Sequence, residues 1–331
     1  MQEWDEPAAH AIEEMLEAFV ARAPLEPSLA EAVRYAVGLD SADPAHRGKR
    51  VRPALCLLVC ESLGGTTARA LPAAIACELL HAFLLAHDDI ADGDEQRRGR
   101  SSVWHRFGLA AGVNAGDVLC ALTQHALLTA GYEAEVTLAL LRSLDRTLLA
   151  TGRGQAMDLA ARGCALPRHA YEEIALQKTA FYLAFPMHAG ALLAGAGAQV
   201  LAGLEAFATC LGPMFQISDD LIDMTERKGR GACGNDIREG KCTVLSTVAF
   251  ERAGAEDRAR LLAIMQTPRA ATTDDDVAWA MALFGRLDAA REARAMSARL
   301  LERAISELTR LPEPLRDRLE RVARALFQRQ H

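Results

Sequence analysis

Two short acidic strings constrain what this chain can fold into. Asp88-Asp89-Ile90-Ala91-Asp92 and Asp219-Asp220-Leu221-Ile222-Asp223 share one spacing, i, i+1, i+4, and each closes an apolar run of helical length. On a helix, side chains at i and i+4 lie one above the other, so Asp88 and Asp92 share a face, as do Asp219 and Asp223. Like charges so placed cost a helix about 0.2–0.5 kcal/mol per pair. Acids at a C-terminal helix end also oppose the helix dipole. One such string could be a solvated helix end. Two with the same spacing and context point to a hard divalent cation held by carboxylate oxygens, with Mg²⁺ the natural choice beside phosphate.

Composition narrows the fold class. Aromatic residues make up only 5% of the 331, and Ala, Leu and Arg dominate. These are good helix formers and poor strand formers. No strand alternation, tandem repeat or low-complexity linker interrupts the chain, so the sequence predicts an all-α, single-domain helical bundle over residues 1–331. Helices are expected at Ala8 to Arg22, Leu29 to Val37, Ala54 to Leu63, Gly112 to Ala130, Glu133 to Ala160, Tyr171 to Leu183 and Phe207 to Thr225. A long helix with Pro72 in its first turn carries the first acidic string and ends at Gly93. Amphipathic helix follows Asp274, with a break at Leu311-Pro312.

The net charge of −7 supplies no basic field for nucleic acid. An acidic chain with an anionic substrate needs bridging cations or local basic pockets, and local pockets are present. Lys49, Arg50 and Arg52 cluster at a helix start, and Arg97-Arg98-Gly99 follows the first acidic string. Only four of the 37 basic side chains are lysines: Lys49, Lys178, Lys228 and Lys241. Where arginine is otherwise the rule, a retained lysine marks a place for a compact point charge. The basic groups near the acidic strings are too many for one phosphate group. They imply two polyanions side by side, one bound through metal and one through side chains alone. Gly116-Asp117 lies in apolar surroundings and reads as a structural, buried aspartate. Eight scattered cysteines without a Cys-x-x-Cys pair suit a reducing, cytoplasmic setting. The N-terminal residues lack a signal-peptide core, and the weakly polar run from Ala184 to Leu204 reads as buried helix, not a membrane span.

Gly48-Lys49-Arg50-x-Arg52-Pro53, Glu78-x-x-His81, Asp88-Asp89-x-x-Asp92 with Arg97-Arg98-Gly99, Gly116-Asp117, Gly154-Gln155-x-x-Asp158, Lys178-Thr179, Phe215-Gln216-x-x-Asp219-Asp220-x-x-Asp223 and Asp236-x-x-x-Gly240-Lys241-x-Thr243 stand in order from Gly48 to Thr243. In this the chain resembles the trans-isoprenyl diphosphate synthases of the polyprenyl synthetase family, most like the short-chain geranylgeranyl and farnesyl types. The resemblance implies a homodimeric helical bundle around a central cavity. It implies three Mg²⁺ ions, two on Asp88 and Asp92 and one at Asp219, with Asp223 a further metal ligand and Asp89 among the catalytic acids. Arg97, Lys178 and Lys241 would hold the allylic diphosphate together with the metals; Lys49, Arg52, His81 and Arg98 would hold isopentenyl diphosphate. Thr179 and Gln216 would lie beside the allylic cation that forms when diphosphate departs. Phe83 and Leu84, one turn before Asp88, would form the floor that limits the product. An aromatic at 83 with a smaller residue at 84 resembles geranylgeranyl-type (C20) enzymes more than farnesyl-type (C15) ones.

The chain departs from the family pattern in places. Arg230-Gly231 stands where the family often has Gly-Lys, and Lys228 in the same loop is the expected substitute. Ser101 and Trp104 replace the usual Pro and His after Arg-Arg-Gly, and Arg47 precedes Gly48. None of these removes a metal ligand. A class I terpene cyclase would need Ser or Thr where Glu239 stands and would not need the basic cluster. A di-iron protein would need a second Glu-x-x-His, and none occurs. A non-catalytic subunit would be expected to have lost an acidic string.

Overall fold

A computed structural model of the chain describes residues 6–41, 43–224 and 233–328. These residues are almost entirely helical, as the composition requires. They divide into two compact units. The first holds the described residues within 1–145, 185–204 and 312–318, and the second those within 146–184, 205–311 and 319–331.

The first unit is built on α1 (Glu6–Arg22), α2 (Pro27–Val37), α3 (Pro44–Arg47), α4 (Val51–Ser62), α5 (Thr67–Asp92), α6 (Val103–Phe107) and α7 (Leu109–Leu128). The 26-residue α5 is its axis and packs on α4 and α7. Thr66 caps its N-terminus by accepting from the Arg69 N–H, and Gly93 caps its C-terminus in the left-handed conformation. Pro72 lies inside the helix, in its second turn rather than its first. Residues Pro53 to Cys60 of α4 are all buried, so this helix is core on every side.

α8 (Ala134–Ala160), α10 (Phe181–Leu193), α11 (Ala198–Asp223) and α17 (Glu313–Gln328) each contribute to both units. The second unit also holds α9 (Arg168–Ala175), α12 (Asn235–Arg238), α13 (Val244–Arg252), α14 (Ala255–Gln266), α15 (Asp274–Arg286) and α16 (Ala289–Glu307). Its core gathers Tyr171, Ile174, Ile217, Leu245, Val248, Leu261, Leu283 and Phe284. The run from Tyr171 to Leu183 is not one α-helix, because Leu176–Ala180 forms a π-turn between α9 and α10. Such turns are rare and concentrate at functional sites. The run from Ala184 to Leu204 breaks between Leu193 and Ala198.

α5 and α11 are long and apolar enough to cross a membrane, but 61% and 56% of their most apolar windows are buried inside the protein. They are core helices by that measure.

One element is absent from the sequence reading. Gln96–Arg97 and Arg100–Ser101 pair as a minimal antiparallel hairpin, β1 and β2. Arg98 and Gly99 form its tip with φ of 54° and 75°. Two central residues with positive φ match the twist of a tight hairpin. For Arg98 that conformation costs about 1–2 kcal/mol, and backbone strain of this kind clusters at functional sites.

Candidate active site

In the first unit, three consecutive segments bring cations to one place. Arg50 caps α4 with a left-handed backbone (φ 46°) and turns its side chain into the core. There its Nε donates to Glu13 Oε1 (2.6 Å), Nη1 to Glu78 Oε1 (2.6 Å) and Nη2 to the Val37 carbonyl (2.8 Å). The carboxylates hold the guanidinium well above its ordinary pKa against the opposing effect of burial. Arg50 therefore braces the fold, and the sequence reading had grouped it with phosphate-binding cations. Its neighbours in that cluster differ. Lys49 is exposed, and Arg52 Nη1 lies 3.4 Å from His81 Nε2. An arginine can only donate, so His81 Nε2 is the acceptor and its ring proton sits on Nδ1.

His81 is held neutral. Burial is the main cause, and Arg52, Arg98, Arg97 and Arg50 add to it in that order, pushing its pKa well below the usual histidine range. The four arginines around it make the pocket positive as well as buried. The unfolded chain takes up a proton as pH falls through about 6.5, while folded His81 does not. Stability is thus present above that pH and lost as pH falls below it. The wild-type urea midpoint is expected to drop from pH 7 to pH 5 more than that of His81→Gln, and the difference between the two slopes measures this residue.

Arg98 completes the pocket. Its Nη1 donates to the His46 carbonyl (3.1 Å), and its guanidinium lies flat against the backbone at Gly48. A Cβ at Gly48 would stand 2.6 Å from Arg98 Cζ. Glycine suits this position because its backbone is left-handed, with φ of 76°, and the Arg98 guanidinium fills the space a side chain would take. Arg97, on the other side of the hairpin strand, turns toward the acidic string. Its Nε donates to Asp89 Oδ1 and its Nη2 lies 3.9 Å from Asp94 Oδ2. The hairpin thus sends adjacent arginines in different directions. Trp104 fixes this corner by donating from Nε1 to the Asp94 carbonyl (2.9 Å), and the Ser101 carbonyl accepts from Tyr35 (2.6 Å). Of these two departures from the family pattern, Trp104 is therefore used in packing, while the contact at Ser101 is made by its backbone and does not depend on the side chain.

The first acidic string divides by role. Asp89 is buried against Arg97. Asp88 is half-buried and Asp92 buried on a common face of α5. Asp117, expected to be buried, is exposed instead, with Oδ1 3.6 Å from His87 Nε2. Phe83 and Leu84 are half-buried on α5.

In the second unit the π-turn carries Lys178 and Thr179. α8 crosses it at Gly154, where a Cβ would meet the Lys178 backbone at 2.3 Å. One turn on, Asp158 Oδ2 receives Lys178 Nζ at 2.7 Å. This accounts for the Gly-Gln-x-x-Asp string. Thr179 Oγ1 donates to Gln216 Oε1 (3.2 Å), and Gln216 Nε2 donates to Asp220 Oδ1 (2.9 Å). Asp220 Oδ2 accepts from Tyr171 Oη and from the Val244 N–H at the start of α13, both at 2.9 Å. Burial, then the Asp220 carboxylate, pushes the Tyr171 phenol well above its ordinary value. Asp223 Oδ2 accepts from the Asp236 N–H (3.0 Å), and Asp219 is half-buried. Lys241 Nζ sits 2.6 Å from Glu239 Oε2 and 3.7 Å from Asp236 Oδ1, and Arg269 binds the other Glu239 oxygen at 3.0 Å. Lys228 and the Arg230-Gly231 departure lie outside the described residues.

The role of Arg50 as a brace and of Tyr171 as the partner of Asp220 is not visible in the sequence. Glu13 and Tyr171 carried no motif signal, because their partners lie 37 and 49 residues away.

The donor set of both acidic strings, carboxylate oxygens alone on successive helical turns, suits a hard cation such as Mg²⁺. Comparison with known proteins gives the family. A sequence model of the polyprenyl synthetase family matches residues 30–284. A short chain isoprenyl diphosphate synthase of Methanothermobacter thermautotrophicus is 35% identical over 289 residues, covering 86% of this chain and 87% of that protein. A farnesyl diphosphate synthase of Geobacillus stearothermophilus is 33% identical, covering 75% and 84%. The crystal structure of a geranylgeranyl pyrophosphate synthetase from Pyrococcus horikoshii Ot3 superposes with a TM-score of 0.83 at 29% identity, covering 97% of this chain and 95% of that one. The chain belongs to the polyprenyl synthetase family and is a prenyltransferase of the short-chain prenyl diphosphate synthase kind.

Proposed function

We propose that this enzyme condenses isopentenyl diphosphate with an allylic diphosphate to an all-trans product, geranylgeranyl diphosphate (C20). One observation carries the reading. The first unit offers two different means of holding an anion: Asp88 and Asp92 on α5 for a metal-bound diphosphate, and for a second one a positive pocket in which Arg52 and Arg98 surround His81, with Lys49 close in sequence. A cyclase acting on a single diphosphate has no use for the second.

In this reading Asp88 and Asp92 hold Mg²⁺, as does Asp219, with three ions in all. When bound, the ions act as Lewis acids on the leaving diphosphate. Lys178 and Lys241 pair with Asp158 and Glu239 and exchange those carboxylates for phosphate oxygens. Arg97 holds the allylic diphosphate and Arg98 isopentenyl diphosphate, consistent with their opposite directions at the hairpin. The hydrogen-bonded set Thr179, Gln216 and Asp220 points oxygen dipoles for the allylic cation. Asp89 and Asp223 position Arg97 and the Asp236 backbone. Phe83 and Leu84 stop the growing chain, and Lys228 takes the place of the missing loop lysine.

A second copy of this chain is the partner we propose for the exposed side of α7, where Leu109, Val113 and Leu128 stand uncovered at helical spacing. We propose a cytoplasmic setting, which eight scattered cysteines without a Cys-x-x-Cys pair suit. The test is incubation of the purified protein with labelled isopentenyl diphosphate, Mg²⁺ and C5, C10 or C15 starters. A C20 product that disappears with chelator, from a protein of twice the chain mass by light scattering, is expected. A predominant C15 product would overturn the chain length, and a cyclic hydrocarbon would overturn the reaction.

A further inference from the structure

His87 precedes the first acidic string and has no role in the reaction described above, yet its surroundings are specific. Its Nε2 lies 3.2 Å from the Val113 carbonyl oxygen of α7. A carbonyl only accepts, so this nitrogen carries the proton and donates. Asp117 Oδ1, one turn further along α7, lies 3.6 Å from the same nitrogen. Between them Gly116 leaves the imidazole its space: a Cβ there would stand 2.2 Å from His87 Nε2. On the other side of the imidazole is the Phe83 ring, one turn back on α5. It meets His87 edge to face, with centroids 5.0 Å apart and an interplanar angle of 72°. The imidazole is thus a strut. It is pinned to the α7 backbone by a hydrogen bond and braces the Phe83 ring in the favoured aromatic geometry.

We propose that His87 is the positioning residue for Phe83 and so sets where chain elongation stops. This rests on the assignment of Phe83 as the floor. Without the strut, Phe83 can turn toward the space beside Gly116 and let a longer chain pass. Any side chain on position 116 would evict the strut, which assigns Gly116 to the same device.

The test compares the product lengths of wild type, His87→Ala, His87→Gln, Phe83→Ala and the double variant Phe83→Ala/His87→Ala, all with the same allylic starter. His87→Gln keeps a donor for the Val113 carbonyl and removes the ring, so it serves should His87→Ala fold poorly. The share of product at least one isoprene unit longer than the wild-type product is expected to rise tenfold or more in both single His87 variants. The first condensation should stay within about threefold of wild type, because His87 touches neither diphosphate in this assignment. Because His87 acts through Phe83, the double variant should make the same products as Phe83→Ala alone. Unchanged length in both His87 variants, beside lengthening in Phe83→Ala, would overturn the strut and leave the floor standing. Additive lengthening in the double variant would show that His87 acts independently, and would overturn the strut too. Unchanged length in Phe83→Ala, which retains His87, would overturn the floor itself and the strut with it.

Discussion

Asp88→Ala is expected to lower turnover by about a thousandfold, some 4 kcal/mol of transition-state stabilisation. The size follows from what the residue does in the proposed site. Asp88 is half-buried at the C-terminal end of α5 and shares its face with Asp92. Its carboxylate is placed to hold a cation against the leaving diphosphate, and without it that charge develops uncompensated in a poorly solvated place. The control is the adjacent residue. Asp89 is buried and its carboxylate is committed to Arg97. Asp89→Asn should weaken the grip of Arg97 and lower activity by about ten- to a hundredfold, since a charge-assisted hydrogen bond contributes about 1.5–3 kcal/mol. The two also separate by metal titration. Asp88→Ala should shift the Mg²⁺ dependence of the residual rate to higher concentration, and Asp89→Asn should leave it in place. Equal shifts in both would show that Asp89 is a ligand as well.

Arg50→Met is expected to destabilise the protein by about 3–5 kcal/mol, the usual cost of removing one partner from a buried ion pair. Arg50 is 7% exposed and Glu78 2% exposed, so Glu78 would be left as an uncompensated buried charge. Glu13 and the Val37 carbonyl would lose donors as well. Replacing the pair together, as Arg50→Met/Glu78→Leu, should recover much of the loss, because a well-packed apolar pair can match a buried ion pair. Urea denaturation of the wild type, both single variants and the double variant measures this. A fall of less than about 1 kcal/mol for Arg50→Met would return Arg50 to the substrate cations, where a change in affinity for isopentenyl diphosphate should appear instead.

Much of the helical architecture was legible in the sequence. α5 is legible because an apolar run, an acidic cluster and the capping Gly93 mark it, whereas α11 begins at Ala198 and not at the expected Phe207, because the apolar residues before Phe207 continue the same helix. The hairpin at 96–101 was not, because Arg98 in a left-handed conformation is an uncommon choice for such a turn and nothing nearby announces it. The π-turn was missed for a similar reason. Leu176–Ala180 has ordinary helical composition, and its wider register arises where α8 crosses closely at Gly154. Asp117 was misjudged because apolar neighbours in sequence lie on all sides of a helix, and only packing shows which side is covered.

By itself the sequence determined the helical class, the two i, i+1, i+4 carboxylate sets and the kinship with prenyl diphosphate synthases. These depend on spacing within a single helix, where geometry follows directly from residue number. Only the tertiary structure decided which member of each like-charged group does what. Arg50 is a brace and Arg52 faces His81; Arg97 turns to Asp89 and Arg98 to Gly48; Asp220 is tied to Tyr171 and Val244 while Asp219 stays half-buried. Identical side chains one residue apart have the same intrinsic chemistry. Burial and partners tens of residues distant separate their roles, because the energy of a charge depends on its solvation and on the charges around it.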